Sequence, residues 1–596
     1  MINIPECKRT KNISVSNLFR QAVKKSSYKF DASVLPENSY YPLYIGKDYL
    51  DVLEEENNAI IWGRRGTGKT HLLKAFNQKI NEDKNNKSIS YYISCDGFKD
   101  SDSIKIDFED DFSKMKFYAT RTYTNFMNAL IELIIDTYKD ILIDKFNIKS
   151  PMKKREKLDK IEKKIDFLID KVNVGSPQIY DKTQIVTESE DKVHANNIGG
   201  EVDIGITNKL PYLKAKINGI IKLGKEQSRK KIKEIKYNFE INFMEIRTAF
   251  NELLNEMGVD QLYICIDELW SIDQLFPVPI QPLFLEYIKR TFFRQRKLFI
   301  KIASIREATN LNAKLSVNAN YGIQSGHDIL EVLNLDVFQF NIDERISIFK
   351  EILISRINYF CKTIAEKDGV EIIEYDADYI LESLFKDLRH FKNMVGMSGG
   401  VPRHYLHIFY NCLKKINYKI NEYYVHTYLI SSVVIEIFDT DRRSDISMNS
   451  ESIYSAINNY MEKSKNYFFI IKNEQVRRLY LEINNLIYCE ILHRIPSSLT
   501  PFKIKDIYKA YFIDSGKYLS FLRECYNNDY SCYIREFNME IPNDLVDNTE
   551  KYILNIDNIE DDFLECKICS SRVNKNHPVY KKHGCCTTCG TKLQNN

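Results

Sequence analysis

Three things are scarce in this chain of 596 residues, and each scarcity removes a class of protein. No apolar run is long enough to span a bilayer, and the opening Met1-Ile2-Asn3-Ile4-Pro5-Glu6-Cys7 lacks the apolar centre of a signal peptide, so neither a membrane nor a secreted protein is expected. Charge of one sign is scarce too. The 85 basic and 82 acidic residues leave only +3, so any nucleic-acid surface must be local. A dense cysteine framework is also missing. Thirteen cysteines, mostly single ones such as Cys7, Cys95, Cys265, Cys361 and Cys412, suit a reducing, cytoplasmic setting. The abundance of Lys, Ile, Asn and Tyr reads as the codon bias of an AT-rich genome. A chain this long exceeds what one core supports, and roughly three or four domains are expected.

What is present begins at Ala59-Ile60-Ile61-Trp62-Gly63-Arg64-Arg65-Gly66-Thr67-Gly68-Lys69-Thr70-His71-Leu72-Leu73, an apolar strand running through G-x-x-x-x-G-K-T into a helix. Such a loop curls its backbone N–H groups around phosphate oxygens, and the helix adds its positive end. Residues 63–71 are therefore the candidate nucleotide cradle, with Lys69 reaching the β and γ phosphates of ATP and the Thr70 hydroxyl on Mg²⁺. The plain alternative is a glycine-rich turn that binds nothing. Leu72, Leu73, Phe76 and Ile80 predict one buried helix face, and Ser88–Cys95 a second strand.

Far downstream, Leu262-Tyr263-Ile264-Cys265-Ile266-Asp267-Glu268 is an apolar strand ending in two carboxylates. Strands of this kind are buried on both faces of a parallel sheet, with ligands beyond their carboxyl ends. Asp267 is expected to hold Mg²⁺ through its water shell, and Glu268 to polarise the water attacking the γ-phosphate. Alternatively the two acids only cap a loop. Leu298–Ala303 predicts another strand, after which Ser304 and Arg306 are candidate sensors of the γ-phosphate, Arg306 by its fork; a solvated arginine is the competing reading. Val337-Phe338-Gln339-Phe340 reads as a further strand, and Asp343 as the cap of a helix through Ile357.

The last segment carries Cys566-Lys567-Ile568-Cys569 and Cys586-Thr587-Thr588-Cys589-Gly590, two C-x-x-C pairs at the spacing of a structural four-cysteine zinc site. Lys575, Lys581, Lys582 and Lys592 crowd this ribbon, which contacts either nucleic acid or protein.

In order of parts the chain resembles an AAA+ ATPase: phosphate loop, acidic pair, polar strand end, then a helical lid at Ser398-Gly399-Gly400-Val401-Pro402-Arg403, which looks like that superfamily's second sensor. The resemblance implies that Arg403 reaches back to the nucleotide. Within the superfamily the chain is most similar to ATPases of the origin-recognition and replication-initiator type, whose core is followed by a DNA-contacting winged helix. It departs at Ser304-Ile305-Arg306, where initiators usually carry asparagine; an arginine there is closer to STAND-type signalling ATPases.

The expected fold class is α/β, a P-loop NTPase parallel-sheet core with a helical lid. The expected division is an N-terminal segment (1–57), core (58–342), lid (343–438), winged-helix-like module (439–555) and zinc ribbon (560–596). A coiled-coil-like helical insertion (about 116–257) interrupts the core. It reads as an antiparallel arm, with seams at Leu158, Ile161, Ile165, Leu168 and Val172 and from Ile232 to Met257. Lys153-Lys154-Arg155 and Arg229-Lys230-Lys231 flank the arm, as phosphate contacts or as the wet side of a helix. Beyond the lid, helical patterns are read at 476–487, around Ile504–Phe512 and at 519–525. Arg290, Arg294 and Arg296 are candidate fingers for a neighbouring subunit. Three functions remain in play: DNA-associated work driven by Mg-ATP hydrolysis in an oligomer, a STAND-like switch gating a protein effector in antiviral defence, or an ATP-binding scaffold with Glu268 idle.

Overall fold

A computed structural model of the chain describes residues 13–28, 35–84, 86–98, 110–144, 151–174, 241–274, 278–316, 319–336, 342–418, 424–442, 446–447, 450–496, 499–526, 540–556, 563–566, 572–575, 578–586 and 590–593. Contacts gather the chain into two units, one made of Gly46–Gly63 and Lys69–Asn334, the other of Met1–Ile45, Arg64–Gly68 and Leu335–Asn596.

The first unit is built on the apolar runs. β1 (Ala59–Trp62), β2 (Ile89–Ser94), β3 (Leu262–Asp267) and β4 (Leu298–Ser304) are joined by an antiparallel hairpin, β5 (Asn312–Ser316) and β6 (Ala319–Gly322), and by β7 (Leu330–Asn334). Five of them form one parallel sheet in the order β2-β3-β4-β1-β7. The central β1, β3 and β4 are buried along their whole length, as continuous Ile/Leu runs require. The strand beside β1 is thus β7, ahead of the expected Val337–Phe340, which lies outside the described residues.

A lysine is built into this core. Lys301 on β4 is fully buried, and its ammonium donates to Glu55 O (2.9 Å), Asn57 O (2.7 Å) and Asn57 Oδ1 (3.3 Å). Burial lowers its pKa to about 8. The ammonium thereby pins the segment that leads into β1 and the phosphate loop.

The inserted helices Asp111–Asp144, Pro151–Val174 and Phe243–Met257 differ from a projecting arm. Ile161, Ile165, Leu168 and Val172 share one apolar core with Phe126, Ile134, Phe250, Leu253 and the sheet residues Ile93, Ile264 and Ile300. The stripe was wide enough to be absorbed by the sheet's own helical layer, instead of needing a private seam. Lys164–Glu252 (2.6 Å) and Lys171–Glu245 (2.5 Å) show the second and third helices running antiparallel. Ile232, Ile235, Phe239 and the cluster Arg229–Lys231 lie outside the described residues.

In the second unit five helices form the lid region: Ile342–Asp368, Ala377–Phe385, Leu388–Met397, Pro402–Tyr418 and Thr427–Ile437. Asp343 lies in the first turn of the first helix, where a carboxylate favours the positive helix end, and not at its cap. An N-terminal helix, Ile13–Tyr28, buries Leu18, Phe19, Ala22 and Val23 in the same core, with Phe19 edge-on to Tyr375 at 4.9 Å.

The chain continues into helix Glu451–Ser464, β8 (Phe468–Lys472), helices Asn473–Arg478 and Tyr480–Tyr488, β9 (Leu492–Arg494), a connecting segment, β10 (Tyr508–Ile513) and helix Ser515–Cys525. The three strands pair antiparallel in the order β8-β10-β9. Two sequence expectations change here. Tyr508–Ile513 is the central strand, not helix, because Tyr, Phe and Ile find partners on both sides. The 476–487 stripe is two short helices broken at Leu479, and Tyr480 and Leu481 face outward. A last hairpin, β11 (Phe563–Glu565) with β12 (Arg572–Asn574), carries the cysteine-rich tail.

Candidate nucleotide site

β1 delivers the chain to Gly63, and the helix Lys69–Glu82 begins at the lysine of the motif. Lys69 is buried and donates from Nζ to Gly63 O at 2.8 Å, so its ammonium bridges the ends of the loop. Thr70 and His71 are half-buried in the first helical turn. On the neighbouring strands the sheet register sets Asp267 opposite Ser94, at the carboxyl end of β3. Asp267 is wholly buried. Its Oδ1 accepts the Glu268 N–H at 2.9 Å, and its Oδ2 accepts the Tyr92 hydroxyl at 2.8 Å.

Glu268 is half-buried and adopts φ 56°, a left-handed conformation that costs a non-glycine residue about 1–3 kcal/mol. Its pKa is raised, first by burial and then by the charge of Asp267, with Lys69 acting in the opposite direction. The structure therefore brings Lys69, Asp267 and Glu268 into one electrostatic neighbourhood. A wholly buried carboxylate with lone pairs to spare offers oxygen ligands of the kind hard cations such as Mg²⁺ prefer, and Asp267 fits that ion.

Arg306 is placed otherwise than a bare sensor. Its guanidinium pairs with Glu331 at 2.5 Å and lies over the Trp62 ring, 4.8 Å from the centroid. Ser304 is buried at the end of β4 and donates to Thr309 Oγ1 at 2.6 Å, since the Thr309 proton goes to Ile305 O. Arg290 is paired with Glu286 at 2.8 Å, while Arg294 and Arg296 are exposed between helix Gln281–Phe292 and β4.

In the other unit the loop residues meet the lid motif. Gly66 has φ 81°, and a Cβ there would stand 2.9 Å from Val401 Cγ1 and 3.0 Å from Arg403 Cβ. The Arg403 N–H donates to Gly66 O at 3.2 Å, so the predicted second sensor is tied to the loop through backbone. Gly399 and Gly400, both left-handed, turn the chain into the helix that Pro402 starts. The Arg64 N–H donates to Asp336 Oδ1 at 2.9 Å, and its side chain pairs with the same oxygen at 3.4 Å. Arg65 is exposed, and Thr67 is buried with its hydroxyl on Arg64 O. Asp336 and Tyr92 escaped the sequence reading, because neither belongs to a motif and both reach the site only through sheet register.

In the tail, Cys566 and Cys586 are buried together with Val573. The Cys586 N–H donates to Thr591 O, and the Gly590 N–H returns to Cys586 O at 2.9 Å. Cys569 and Cys589 lie outside the described residues. Among the described residues, no group of three or more His, Cys, Asp or Glu side chains is placed to hold a metal. No described helix is long and apolar enough to cross a membrane.

Comparison with solved structures finds the ORC2 protein of Aeropyrum pernix in its ADPNP–ADP complexes at 10% identity, covering 83% of this chain and 96% of that one, with a TM-score of 0.35. It also finds the Walker-type ATPase of Pyrococcus abyssi at 14% identity, 80% and 94% coverage and a TM-score of 0.31. Cdc6p from Pyrobaculum aerophilum matches at 11% identity, 83% and 97% coverage and a TM-score of 0.28. No curated protein matches the sequence. The ORC-CDC6-like family matches residues 29–386, more than half of the chain, and the chain belongs to that family.

Proposed function

We propose that this protein is an initiator-like AAA+ ATPase that binds and hydrolyses Mg-ATP and works on DNA. The observation that carries the reading is the wholly buried Asp267 followed by half-buried Glu268 at the end of β3, with Lys69 acting on Glu268. In this reading residues 63–70 wrap the phosphates, Lys69 neutralises charge on the β and γ oxygens, and Asp267 with Thr70 holds the ion. Bound Mg²⁺ supplies charge neutralisation at the phosphates. Glu268 orients the attacking water and takes up its proton; a carboxyl with a raised pKa accepts a proton more readily, which suits that role. Arg403 reports on the nucleotide from the lid. Arg306 senses the γ-phosphate by leaving Glu331, and one of Arg290, Arg294 and Arg296 serves a neighbouring subunit.

The DNA assignment rests on the β8–β10 module. A helix before β8, two helices between β8 and β9, and the strand order β8-β10-β9 support a winged-helix reading, with residues 499–507 in its wing. Lys509 has its pKa lowered, by burial first and then by the charges of Arg494 and Arg477. Like charges held this close repel one another, and a phosphate backbone relieves the repulsion. Exposed Arg478, Lys503, Tyr480 and Phe502 extend the surface. We propose zinc at Cys566, Cys569, Cys586 and Cys589; the burial of Cys566 and Cys586 in one small cluster supports it, since thiolates are the ligands a closed zinc site uses.

The deciding experiment is steady-state ATP hydrolysis with and without double-stranded DNA at low and moderate salt, with Lys69→Ala as the blank. Salt-sensitive stimulation absent from the blank is expected. Slow turnover indifferent to DNA would refute the DNA half, and turnover equal to the blank would refute the ATPase half.

A further inference from the structure

Asp267 is gripped from two sides, and only one grip belongs to the acidic motif. The Glu268 N–H takes Oδ1, whereas Oδ2 is taken by a residue from another strand, Tyr92 on β2. Tyr92 stands opposite Cys265, and Asp267 lies two residues further along β3. Both side chains therefore occupy one face of the sheet, and the phenol crosses the diagonal between strands. The ring is fixed in turn. The Lys74 ammonium, on the phosphate-loop helix one turn beyond Thr70, lies 5.3 Å from its centroid. A wholly buried carboxylate with a donor on each oxygen has its plane set, and its remaining lone pairs point in set directions.

We propose that Tyr92 is a positioning residue for magnesium binding: its hydroxyl fixes the Asp267 carboxylate plane so that the free lone pairs face the hydrated ion. Tyr92 does not touch the phosphates or the ion. It acts through Asp267, and through Lys74 it joins the acidic strand to the phosphate-loop helix. The proposal rests on the Mg-ATP reading above. A mere packing role, by contrast, predicts loss of stability with no change in the response to metal.

The test uses the full chain and binding of fluorescent mant-ATP, titrated with Mg²⁺ and repeated in EDTA. Tyr92→Phe keeps the ring and its Lys74 contact and removes only the donor. Partners that orient a metal ligand are typically worth about 10–100-fold in metal affinity, and the Mg²⁺ concentration for half-maximal tightening should rise by about that factor, with binding in EDTA unchanged. In an Asp267→Asn background the same change should have no further effect on the Mg²⁺ midpoint. An unaltered midpoint in Tyr92→Phe, or equal effects with and without Asp267, overturns the proposal while leaving the ATPase reading intact. Absence of any Mg²⁺-dependent tightening in the parent overturns both.

Discussion

The buried ammonium of Lys301 makes a quantitative claim about alkaline stability. Its pKa falls from 10.5 to about 8 on folding, so between these values the folded chain has shed a proton that the unfolded chain still holds. Stability rises with pH wherever the unfolded state binds more protons, and here the window runs from about 8 to 10.5. At 1.36 kcal/mol per pKa unit the difference is on the order of 3 kcal/mol over the full shift. Buried Cys265 and Cys361, whose thiols burial pushes up to about 12, act with the opposite sign, so the parent alone is uninformative. The quantity to measure is the difference between parent and Lys301→Met in urea midpoint, followed from pH 7 to 10.5. At pH 7 the variant loses the three bonds to Glu55 and Asn57, a cost of about 1–3 kcal/mol offset in part by relief of a buried charge. As pH rises the parent should gain on the variant by roughly 3 kcal/mol. Parallel pH profiles would show that Lys301 stays charged in the fold, and the reasoning from burial would fail.

Four further outcomes are expected. Gly66→Ala forces a left-handed alanine against Val401, and at about 1–2 kcal/mol for the backbone alone, ATP affinity should fall roughly 5–30-fold; calorimetry showing unchanged affinity would contradict the packing. The raised pKa of Glu268 places the acid limb of kcat above the ordinary 4.5, because only the ionised base works. Glu268→Gln should abolish that limb and slow turnover by about 10²–10⁴-fold. It should also stabilise the fold at neutral pH, where the buried charge is a burden. Gly516→Ala puts a Cβ 2.6 Å from Phe438 Cβ and 3.0 Å from Val434 O, so the urea midpoint should drop by the equivalent of about 1–3 kcal/mol. Chelation should release about one zinc per chain, by atomic absorption, and speed amide exchange across 560–596 while leaving ATP binding intact; a metal-free tail that exchanges slowly would exclude the four-cysteine site.

How much of this was legible depended on burial. β1, β3 and β4 were plain because a strand buried on both faces must be apolar throughout, and the two carboxylates after such a run stand out. β5 to β7 were not, since Asn312–Ser316 and Leu330–Asn334 are polar or half-exposed and carry no run. The N-terminal helix left a faint signal: Leu18, Phe19, Ala22 and Val23 recur at helical spacing within a polar segment, but four apolar residues without a cap are easily passed over. β10 reads as helix in the sequence because Ile504 and the strand residues after it share an apolar density that does not announce its period. Motif residues were readable because phosphate chemistry demands particular types at fixed spacing. Tyr92, Asp336 and Lys301 were not, because their partners are brought to them by strand register and no local spacing encodes that.

The β8–β10 module and the lid do not meet at a wet seam. Phe438, Val434 and Met397 of the lid share one apolar core with Ile470, Leu519 and Phe521, His404 pairs with Glu490 at 2.8 Å, and the Ser515 hydroxyl donates to Met397 O. Seen mechanically, this is a stiff lever. A load on the β8–β10 module, whatever applies it, enters the helix Pro402–Tyr418 at His404, the residue next to Arg403. If Arg403 reports on nucleotide as proposed, torque and nucleotide are felt at adjacent positions on one helix, and the force reaches them through a packed apolar core.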